Sequence, residues 1–443
     1  MFSMWKKGDL MGFFSGKSSL MVDGKKGLTN QKAIETYTQP KVVAIPLKNR
    51  DSDNFEIHVE VGSKVKIGTV LAMRKDHLKV PCFSSVSGTV LAIEKKDHVS
   101  TRKTNHIVIE NDFQDEKERY ADPVEELSTL SVEEIKEKLQ LSGVMGLGGT
   151  ELPIYEKYRD VDEIETLLIN GVECEPYLTS DEANMKTSAT LLFDGIYLLM
   201  KAASAKKGIL AITKGKKELY DALKPYENSY PNVEIKQMDD VYPMGWEKYL
   251  IRRLFKKTYD QTPAELGILC VNSSTVIEFA RSVRSGLPLY ERIVTLAGEG
   301  FVHQQNVKVR VGTLLADVVA AIGGYVEEVG FKTARLIHGG PLMGTSIITD
   351  DLAVTATTNG FLCLLESLKE ESPCSRCGAC IDHCPAGLQP VQMAQAVKNK
   401  DVGMLKTLAA DACVGCGLCS FVCPSSINVT KSSIRAKSMV LRG

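Results

Sequence analysis

The residues with the clearest chemical purpose are cysteines near the C-terminus. Eight of the twelve cysteines form two copies of one pattern, C-x2-C-x2-C-x3-C-P, which begin at Cys374 and Cys413. Bunched thiols favour a metal site in a reducing compartment, because disulfide frameworks spread their cysteines through small secreted domains. In this spacing, three thiolates of one run face one 4Fe–4S cubane and the fourth ligates the other cubane. Two zinc sites are the alternative, but zinc usually uses two CxxC pairs with a longer separation.

The crossed ligation predicts two neighbouring clusters and hence an electron carrier or redox subunit. The predicted ligands of the first cluster are Cys374, Cys377, Cys380 and Cys423. Those of the second cluster are Cys413, Cys416, Cys419 and Cys384. Glycines between the ligands let backbone amides approach the sulfurs. The 28 residues that separate the two runs predict a helical insertion.

The bulk composition narrows the possible partners. The 443 residues suggest about three domains. With 54 basic and 55 acidic residues, the chain has no global field to attract nucleic acid, so we expect no nucleic-acid partner. The chain contains no run of about 18 apolar residues, so the sequence predicts no membrane-spanning helix. Residues 1–35 lack the features of a signal peptide and are interpreted as an N-terminal arm, with a peripheral docking segment as the alternative.

The elements between the arm and the cysteines change character along the chain. Short β-branched segments over residues 41–112 predict strands, and their pattern resembles the barrel-sandwich hybrid of biotinyl and lipoyl domains. Ser131 and Glu134 form a capping-box pattern at the start of a helix. Strands and helices then alternate up to about residue 288, with one helix expected around residues 183–203. This alternation predicts a mostly parallel sheet covered on both faces. Residues 291–350 return to mixed β character around one helix.

A glycine-rich loop and several polar strand ends predict a ligand site in the α/β region. Gly146, Gly148 and Gly149 could let backbone amides close on a phosphate. Asn170 ends a predicted strand and Asn272 ends another, and α/β sheets place ligands at the carboxyl ends of their strands. Residues 242–248 form a second polar loop that contains glycine.

Together, these features resemble a known family. The segments INGVECEPYLTSD (169–181), ERIVTLAG (291–298) and GGPLMG (339–344) and both cysteine runs are similar to the RnfC subunit of the Rnf complex, the ion-pumping ferredoxin:NAD oxidoreductase of bacterial membranes. The resemblance spans roughly residues 40–440, and the α/β region is also similar to the NADH-binding flavoprotein subunit of respiratory complex I.

The resemblance implies an α/β and α+β multidomain fold. Its expected parts are an N-terminal arm (1–35), a barrel-sandwich hybrid domain (36–115), a Rossmann-like flavin/NADH domain (125–288), a β-grasp (SLBB) module (289–350) and a helical two-cluster ferredoxin-like domain (362–443).

The resemblance also implies cofactors, site residues and partners. The implied flavin site comprises Gly146, Gly148, Gly149, Lys157, Asn170, Glu173, Glu175 and Asn272. Glu247 would lie in the loop that meets the nicotinamide nucleotide. The expected cofactors are FMN, NAD(H) and the two clusters, and no proton-transfer residue is needed. The implied role is that of an NADH-linked electron-transfer subunit, peripheral on the cytoplasmic face of the bacterial membrane. Its expected partners are membrane subunits of the Rnf type and a ferredoxin or ferredoxin-like subunit.

Two departures from the family pattern concern the nucleotide site. The family's GGAGFPT is GGTELPI here, which introduces Glu151, and its GGEKQL is GWEKYL, which introduces Trp246. Both place charge or bulk where the resemblance puts a cofactor. A carboxylate about 4 Å from a phosphate would cost on the order of 4 kcal/mol at an effective dielectric of 20. Two alternatives therefore stay open: a cobalamin reductase of a microcompartment, and a non-enzymatic two-cluster relay whose nucleotide site has decayed.

Overall fold

The fold is taken from a computed structural model that describes residues 19–159, 164–327, 329, 334–365 and 370–442. The first part of the predicted arm, residues 1–18, lies outside the described residues. The rest of the arm runs along the body of the protein and ends in strand β1 (Glu35–Tyr37). This strand pairs in parallel with residues 307–309 of a distant sheet, so the arm is tied to the body by backbone hydrogen bonds.

Residues 42–111 form two antiparallel sheets that face each other. One sheet has the order β2-β8-β7-β4 and the other has the order β3-β5-β6. Alternate residues such as Val43, Ile45, Ile107 and Ile109 are fully buried between them, as the period of two in a half-buried strand requires. The strands are β2 (Val42–Pro46), β3 (Phe55–Ile57), β4 (Lys64–Val65), β5 (Val70–Arg74), β6 (Pro81–Phe83), β7 (Gly88–Asp97) and β8 (Lys103–Asn111).

The next region is a parallel α/β sheet. Its described strands are β9 (Thr166–Gly171), β10 (Lys207–Thr213), β11 (Val233–Met238) and β12 (Ile268–Asn272). The helices are α1 (Val132–Leu141), α2 (Ser180–Thr187), α3 (Ala189–Ala202), α4 (Lys217–Glu227), α5 (Glu247–Phe255) and α6 (Ser273–Ser285). Leu167 and Ile169 pack towards α3 and α6, whereas Leu168 packs towards α5. Both faces are therefore covered, as the near-continuous apolar strands predict.

The strand order predicts a ligand crevice at the carboxyl edge of this sheet. The order is β11-β10-β9-β12, and every pair in it is parallel. Because the chain winds in opposite directions from β9 to β10 and from β9 to β12, the carboxyl ends of β9 and β12 flank a topological switch point. Ligands of open α/β sheets bind in such crevices.

Two helix predictions of this region have different outcomes. The capping box of α1 is confirmed, because Ser131 and Glu134 exchange both side-chain–backbone hydrogen bonds. The single helix expected around residues 183–203 is instead two helices, α2 and α3. The backbone leaves helical geometry at Ser188 (φ −127°, ψ 35°), which lets α2 keep its own direction beside the crevice.

A mixed sheet with the described order β1-β14-β13-β17-β15-β16 follows the α/β region. Its remaining strands are β13 (Glu291–Ala297), β14 (Gln305–Arg310), β15 (Arg335–His338), β16 (Thr345–Ile347) and β17 (Gly360–Leu364). Helix α7 (Leu315–Ala321) covers it through Leu315 and Val318, which are fully buried. The Rossmann-like and SLBB assignments, and the domain boundaries, remain predictions.

The cysteine-rich part is built from short helices. These are α8 (Ala379–Asp382), α9 (Pro390–Lys398), α10 (Val402–Thr407), α11 (Leu418–Phe421) and α12 (Val429–Arg442). Helices α9 and α10 are the insertion expected between the cysteine runs. They pack on α12 through a small core that contains Met393, Leu405 and Ala436. Across the described residues, no helix is both long enough and apolar enough to span a bilayer.

Candidate functional site

The second cysteine run surrounds a cavity together with one cysteine of the first run. The empty space of this pocket is about 370 Å³, including space open to solvent, and its wall includes Cys384, Cys413, Cys416 and Cys419. These are the four predicted ligands of the second cluster. Within the described ranges, no three His, Cys, Asp or Glu side chains converge closely enough to hold a single metal ion. Four thiols around one pocket fit the ligand set of a 4Fe–4S cubane.

Residues outside the motifs bring the first run beside the last cysteine. The Ser425 hydroxyl donates to the carbonyl oxygen of Pro373 at 2.9 Å, and the Ser425 carbonyl accepts from the amide of Ser372 at 3.0 Å. These bonds place the chain just before Cys374 next to the chain just after Cys423, as crossed ligation requires. The assignment of individual ligands stays a prediction.

Hydrogen-bond donors lie against two of the sulfurs. The amide of Leu388 donates to Sγ of Cys384 at 3.3 Å, and the hydroxyl of Thr430 lies 3.3 Å from Sγ of Cys419. Such bonds stabilise negative charge on cluster sulfurs and are among the features that set the reduction potential. Neither donor is a backbone amide between the ligands, so the approach of such amides that the glycines suggest stays a prediction.

The glycine-rich loop is fastened to the crevice of the parallel sheet. Within the loop, the Gly146 amide donates to Leu152 O at 2.7 Å, and the Leu147 amide donates to the hydroxyl of Thr275 at 2.9 Å. Gly148 passes so close to Asn272 that a Cβ on it would lie 3.1 Å from the Cβ of Asn272. The absence of a side chain at Gly148 thus lets the loop lie on the end of β12.

The tip of this loop has the features of an anion site. Gly149 has φ +93°, and the space where a Cβ would stand is open. In the described part of the chain, the amides of Gly148 and Gly149 donate to no protein atom. Consecutive free amides in such a turn form a concavity that suits a phosphate. The loop therefore fits the phosphate of a flavin nucleotide.

The polar strand ends lie at the same edge. Asn170 donates through Nδ2 to Gly245 O at 2.8 Å, which ties the end of β9 to the loop at residues 242–248. Asn272 donates through Nδ2 to Asp181 at 2.8 Å and accepts from the Thr275 amide at 3.2 Å, so that it also caps α6. The two asparagines are positioned by the protein rather than free to rotate.

An unsatisfied hydroxyl lies beside Asn272. Ser273 is completely buried, and its Oγ has no hydrogen-bond partner among the described residues. Buried polar groups are nearly always hydrogen-bonded, so Ser273 is an exception in the first turn of α6.

The carboxylate of Glu173 is engaged with the start of α2. It accepts hydrogen bonds from the amides of Asp181 (3.1 Å) and Glu182 (3.4 Å). Burial raises its pKa to about 7. Glu173 therefore fixes the direction of α2 from within the protein, and its contact with a flavin stays a prediction.

The carboxylate of Glu175 reaches the loop that contains the GGPLMG sequence. It accepts from the amides of Leu342 (3.2 Å) and Met343 (2.8 Å). Burial raises the pKa of Glu175 to about 7 as well. A Cβ on Gly340 would lie 2.2 Å from Oε2 of Glu175, so glycine is required for this approach. The segment between β9 and α2 is thus held by both of its glutamates.

Tyr242 joins this segment to the second cysteine run. Its hydroxyl lies 2.6 Å from the carbonyl oxygen of Cys416 and 3.3 Å from Oε1 of Glu175. The backbone at Gly417 also touches Leu342, because a Cβ on Gly417 would lie 2.4 Å from the Leu342 carbonyl oxygen. Sequence analysis marked the loop at residues 242–248 but did not identify Tyr242 as its contact with the cysteines.

Lys157 and Glu247 lie together beside β12. Lys157 donates through Nζ to Cys270 O at 2.7 Å and lies 3.4 Å from Oε2 of Glu247. The other oxygen of Glu247 accepts from the Tyr259 hydroxyl at 2.9 Å. The structure therefore pairs the predicted flavin lysine with the predicted nucleotide-loop glutamate.

The expectation that Glu151 places its charge in the phosphate loop is wrong. Its carboxylate accepts from the backbone amide of Arg50 (2.8 Å) and from the hydroxyl of Thr357 (3.2 Å). It therefore links the glycine-rich loop to the barrel-sandwich strands and to the mixed sheet. Trp246, the other departure, is half-buried against the core beneath α5.

Lys26 is a contact that the sequence analysis missed. Its ammonium donates to the carbonyl oxygens of Glu173 (2.8 Å), Glu175 (2.7 Å) and Leu178. No local pattern marks this residue, because its partners lie about 150 residues further along the chain.

Comparisons with known proteins identify the same three parts of the chain. Residues 17–114 match the family described as RnfC barrel sandwich hybrid domain, residues 139–281 match the Nuo51 FMN-binding domain, and residues 373–428 match the 4Fe-4S dicluster domain. These matches, with the loop and the bunched cysteines, make FMN and 4Fe–4S clusters the cofactors of this protein.

Full-length relatives give the same result. The chain is 31% identical over 364 residues to the RnfC subunit of the Na(+)-translocating ferredoxin:NAD(+) oxidoreductase complex of Acetobacterium woodii, covering 81% of each chain. It is 31% identical to the corresponding subunit of the ion-translocating oxidoreductase complex of Rhodobacter capsulatus, covering 88% of this chain and 76% of the relative. The counterpart in the proton-translocating ferredoxin:NAD(+) oxidoreductase complex of Clostridium ljungdahlii is 30% identical, with coverages of 86% and 83%.

The crossed ligation can be tested with Cys423→Ser. We expect iron to fall from about eight to about four atoms per chain, because only the first cluster loses a ligand. Iron analysis and electron spin resonance of anaerobic protein would measure this, with Cys82→Ser as a control that keeps all the iron. Loss of the second-run cluster with the first one intact would contradict the assignment.

The position of Glu151 predicts that its substitution lowers stability but leaves cofactor binding nearly unchanged. Glu151→Ala should cost about 1–3 kcal/mol, because two hydrogen bonds to a charged group are lost. Glu151→Gly should cost about 1 kcal/mol less than Glu151→Ala. The residue has φ +50°, a left-handed conformation that glycine adopts without the strain of a Cβ. Urea unfolding would measure both. FMN and NADH affinities should stay within about threefold of wild type, and a tenfold tightening in Glu151→Gly would show that the carboxylate faces the nucleotide.

The raised pKa of Glu175 predicts that stability falls as the pH rises. The carboxyl has a pKa of about 7 in the folded protein, against 4.5 as its ordinary value. Below pH 4.5 the carboxyl group holds its proton in both the folded and the unfolded protein. Between these values only the folded state holds it, so the stability contribution is lost as the pH rises through 7. The free energy of unfolding should fall by about 2–3 kcal/mol across this pH range.

The Glu175→Gln variant should reduce this dependence and leave the share of Glu173, whose pKa burial raises in the same way. The measurement is the thermal unfolding midpoint of anaerobic protein at pH 5 and at pH 8. Glu165→Gln is the matched control, since the Glu165 side chain is 69% exposed. An unchanged difference between the two pH values in Glu175→Gln would rule out Glu175 as the source.

Proposed function

Because the chain belongs to the RnfC family of subunits of the Rnf-type ion-translocating oxidoreductase complexes, we propose that it transfers electrons between NAD(H), bound FMN and its two 4Fe–4S clusters. It is an electron-transfer subunit with FMN and iron–sulfur cofactors; the use of NAD(H) and the membrane setting are the proposed parts. Bound FMN supplies the conversion between a two-electron hydride transfer and single-electron transfers.

The residues of the crevice have distinct roles in this proposal. The free amides of Gly148 and Gly149 bind the flavin phosphate, and Asn170 and Asn272 orient the nucleotide from the ends of their strands. Lys157 and Glu247 form the polar wall of the neighbouring nicotinamide site. Glu173 and Glu175 contribute by fixing the segment that borders the flavin, since their carboxylates are already hydrogen-bonded.

The observation that carries the proposal is the contact between the flavin segment and the cysteines. The Tyr242 hydroxyl donates a hydrogen bond to the carbonyl oxygen of Cys416 and lies beside Glu175. In this proposal, the second cysteine run is therefore the side of the cluster part that faces the flavin. Cys374 and Cys377 of the first run are exposed. Electrons would therefore pass between the flavin side and the second cluster, then to the first cluster and to a partner there.

The partners and location follow from the relatives and remain part of the proposal. The relatives are named as subunits of Na(+)-translocating, proton-translocating and ion-translocating complexes. We propose that this chain is a peripheral subunit on the cytoplasmic face of a bacterial membrane. It would bind other Rnf-type subunits and exchange electrons with a ferredoxin or ferredoxin-like subunit.

Two spectra test the oxidoreductase role. Anaerobically purified protein should be yellow from FMN, and excess NADH should bleach the flavin absorbance and give the spin-resonance signals of reduced clusters. NADPH at the same concentration is the matched control for nucleotide choice. If the protein takes up no flavin and its clusters stay oxidised under NADH, the chain is the two-cluster relay instead.

A further inference from the structure

The contact of Lys26 with the segment Glu173–Leu178 has no role in the function described so far. Lys26 lies in a short 3-10 helix (Lys26–Leu28) of the N-terminal arm. Its half-buried ammonium donates to the carbonyl oxygens of Glu173, Glu175 and Leu178, with distances of 2.8 Å and 2.7 Å to the first two. A lysine ammonium has three N–H donors, so all of its capacity is directed to this one segment.

These bonds determine how the segment is oriented. The C=O and N–H of a planar trans peptide point in opposite directions, so a carbonyl directed at Lys26 turns the following amide away from it. Three such carbonyls curve the segment around the ammonium. Tyr177, inside the curve, has φ +68°, a conformation that non-glycine residues adopt only when their surroundings hold them there.

Other arm residues fasten this segment and the residue that follows it, but they do so without charge. The Tyr177 amide donates to Gly24 O at 2.6 Å, and the hydroxyls of Thr29 and Thr179 lie 2.6 Å apart. Lys26 is the cation whose charge acts on both Glu173 and Glu175. It therefore supplies the positive charge behind a segment that holds two half-buried carboxyl groups.

We propose that Lys26 is a positioning residue for the flavin: it holds the Glu173–Leu178 segment in the conformation that FMN binds and places a fixed positive charge behind it. This inference rests on the proposed flavin site. Lys26 acts through the backbone of the segment and touches no reacting atom. The arm is thereby part of the cofactor site as well as an attachment to the body.

The test uses the full chain with its clusters, depleted of FMN and then titrated with FMN by fluorescence quenching. Lys26→Met should raise the dissociation constant for FMN at least tenfold and shift the midpoint potential of the bound flavin downward, since a nearby positive charge is lost. Lys26→Arg should recover most of the affinity, because it keeps the charge and N–H donors. Lys26→Gln repeats the test if Lys26→Met is recovered unfolded.

Two other lysines of the arm are matched controls. Lys25 pairs with Asp23 on the surface, and Lys32 donates to Gln304 O. Lys25→Met and Lys32→Met should each leave FMN affinity within twofold. A Lys26→Met protein that is less stable but binds FMN with the affinity and potential of wild type would overturn the proposal, as would an equal loss in Lys25→Met. If wild-type protein binds no FMN, the proposed function fails together with this inference.

Discussion

The hydrogen-bonded junction of Tyr242, Glu175 and Cys416 is the constraint on which the arrangement of the two redox sites depends. It joins three parts of the chain whose sequence separations are 67 and 174 residues. Electron transfer requires cofactors that stay close, and no disulfide holds the cluster part against the α/β sheet in the described residues. The junction is small, but Leu342, Leu418 and Cys174 surround it with apolar contacts and exclude water from its hydrogen bonds.

The features that could be predicted from the sequence are those in which local pattern and chemistry coincide. The cysteine spacing predicts the four thiols that surround the cavity, and alternating strands and helices predict the parallel sheet. The capping box of α1 depends on residues three apart, so its signal is complete within one turn. The common location of Asn170 and Asn272 could be predicted, because the carboxyl ends of parallel strands lie at one edge of a sheet.

The remaining features depend on contacts between distant residues that leave no local signal. Glu151 differs from the family at a position beside the phosphate loop, and its sequence position alone suggests repulsion of a nucleotide. Its carboxylate instead bonds a backbone amide 101 residues away. Lys26 is one lysine among many in a charged arm, and its three acceptors are backbone carbonyls, which every residue possesses. Residue identity therefore could not single out either contact.

The two half-buried glutamates show that the segment between β9 and α2 was not arranged for stability alone. Burial raises the pKa of both carboxyl groups, so at neutral pH part of the folded population must keep charge in a poorly solvated place or hold a proton there. Apolar residues would avoid this cost but could not accept the amides at the start of α2 or in the loop after Gly340. The glutamates turn the amides of two separate elements towards one short segment, and Lys26 opposes their charge from behind. The free-energy cost of burying the two carboxyl groups is thus the consequence of fixing the backbone where the flavin part and the cluster part meet.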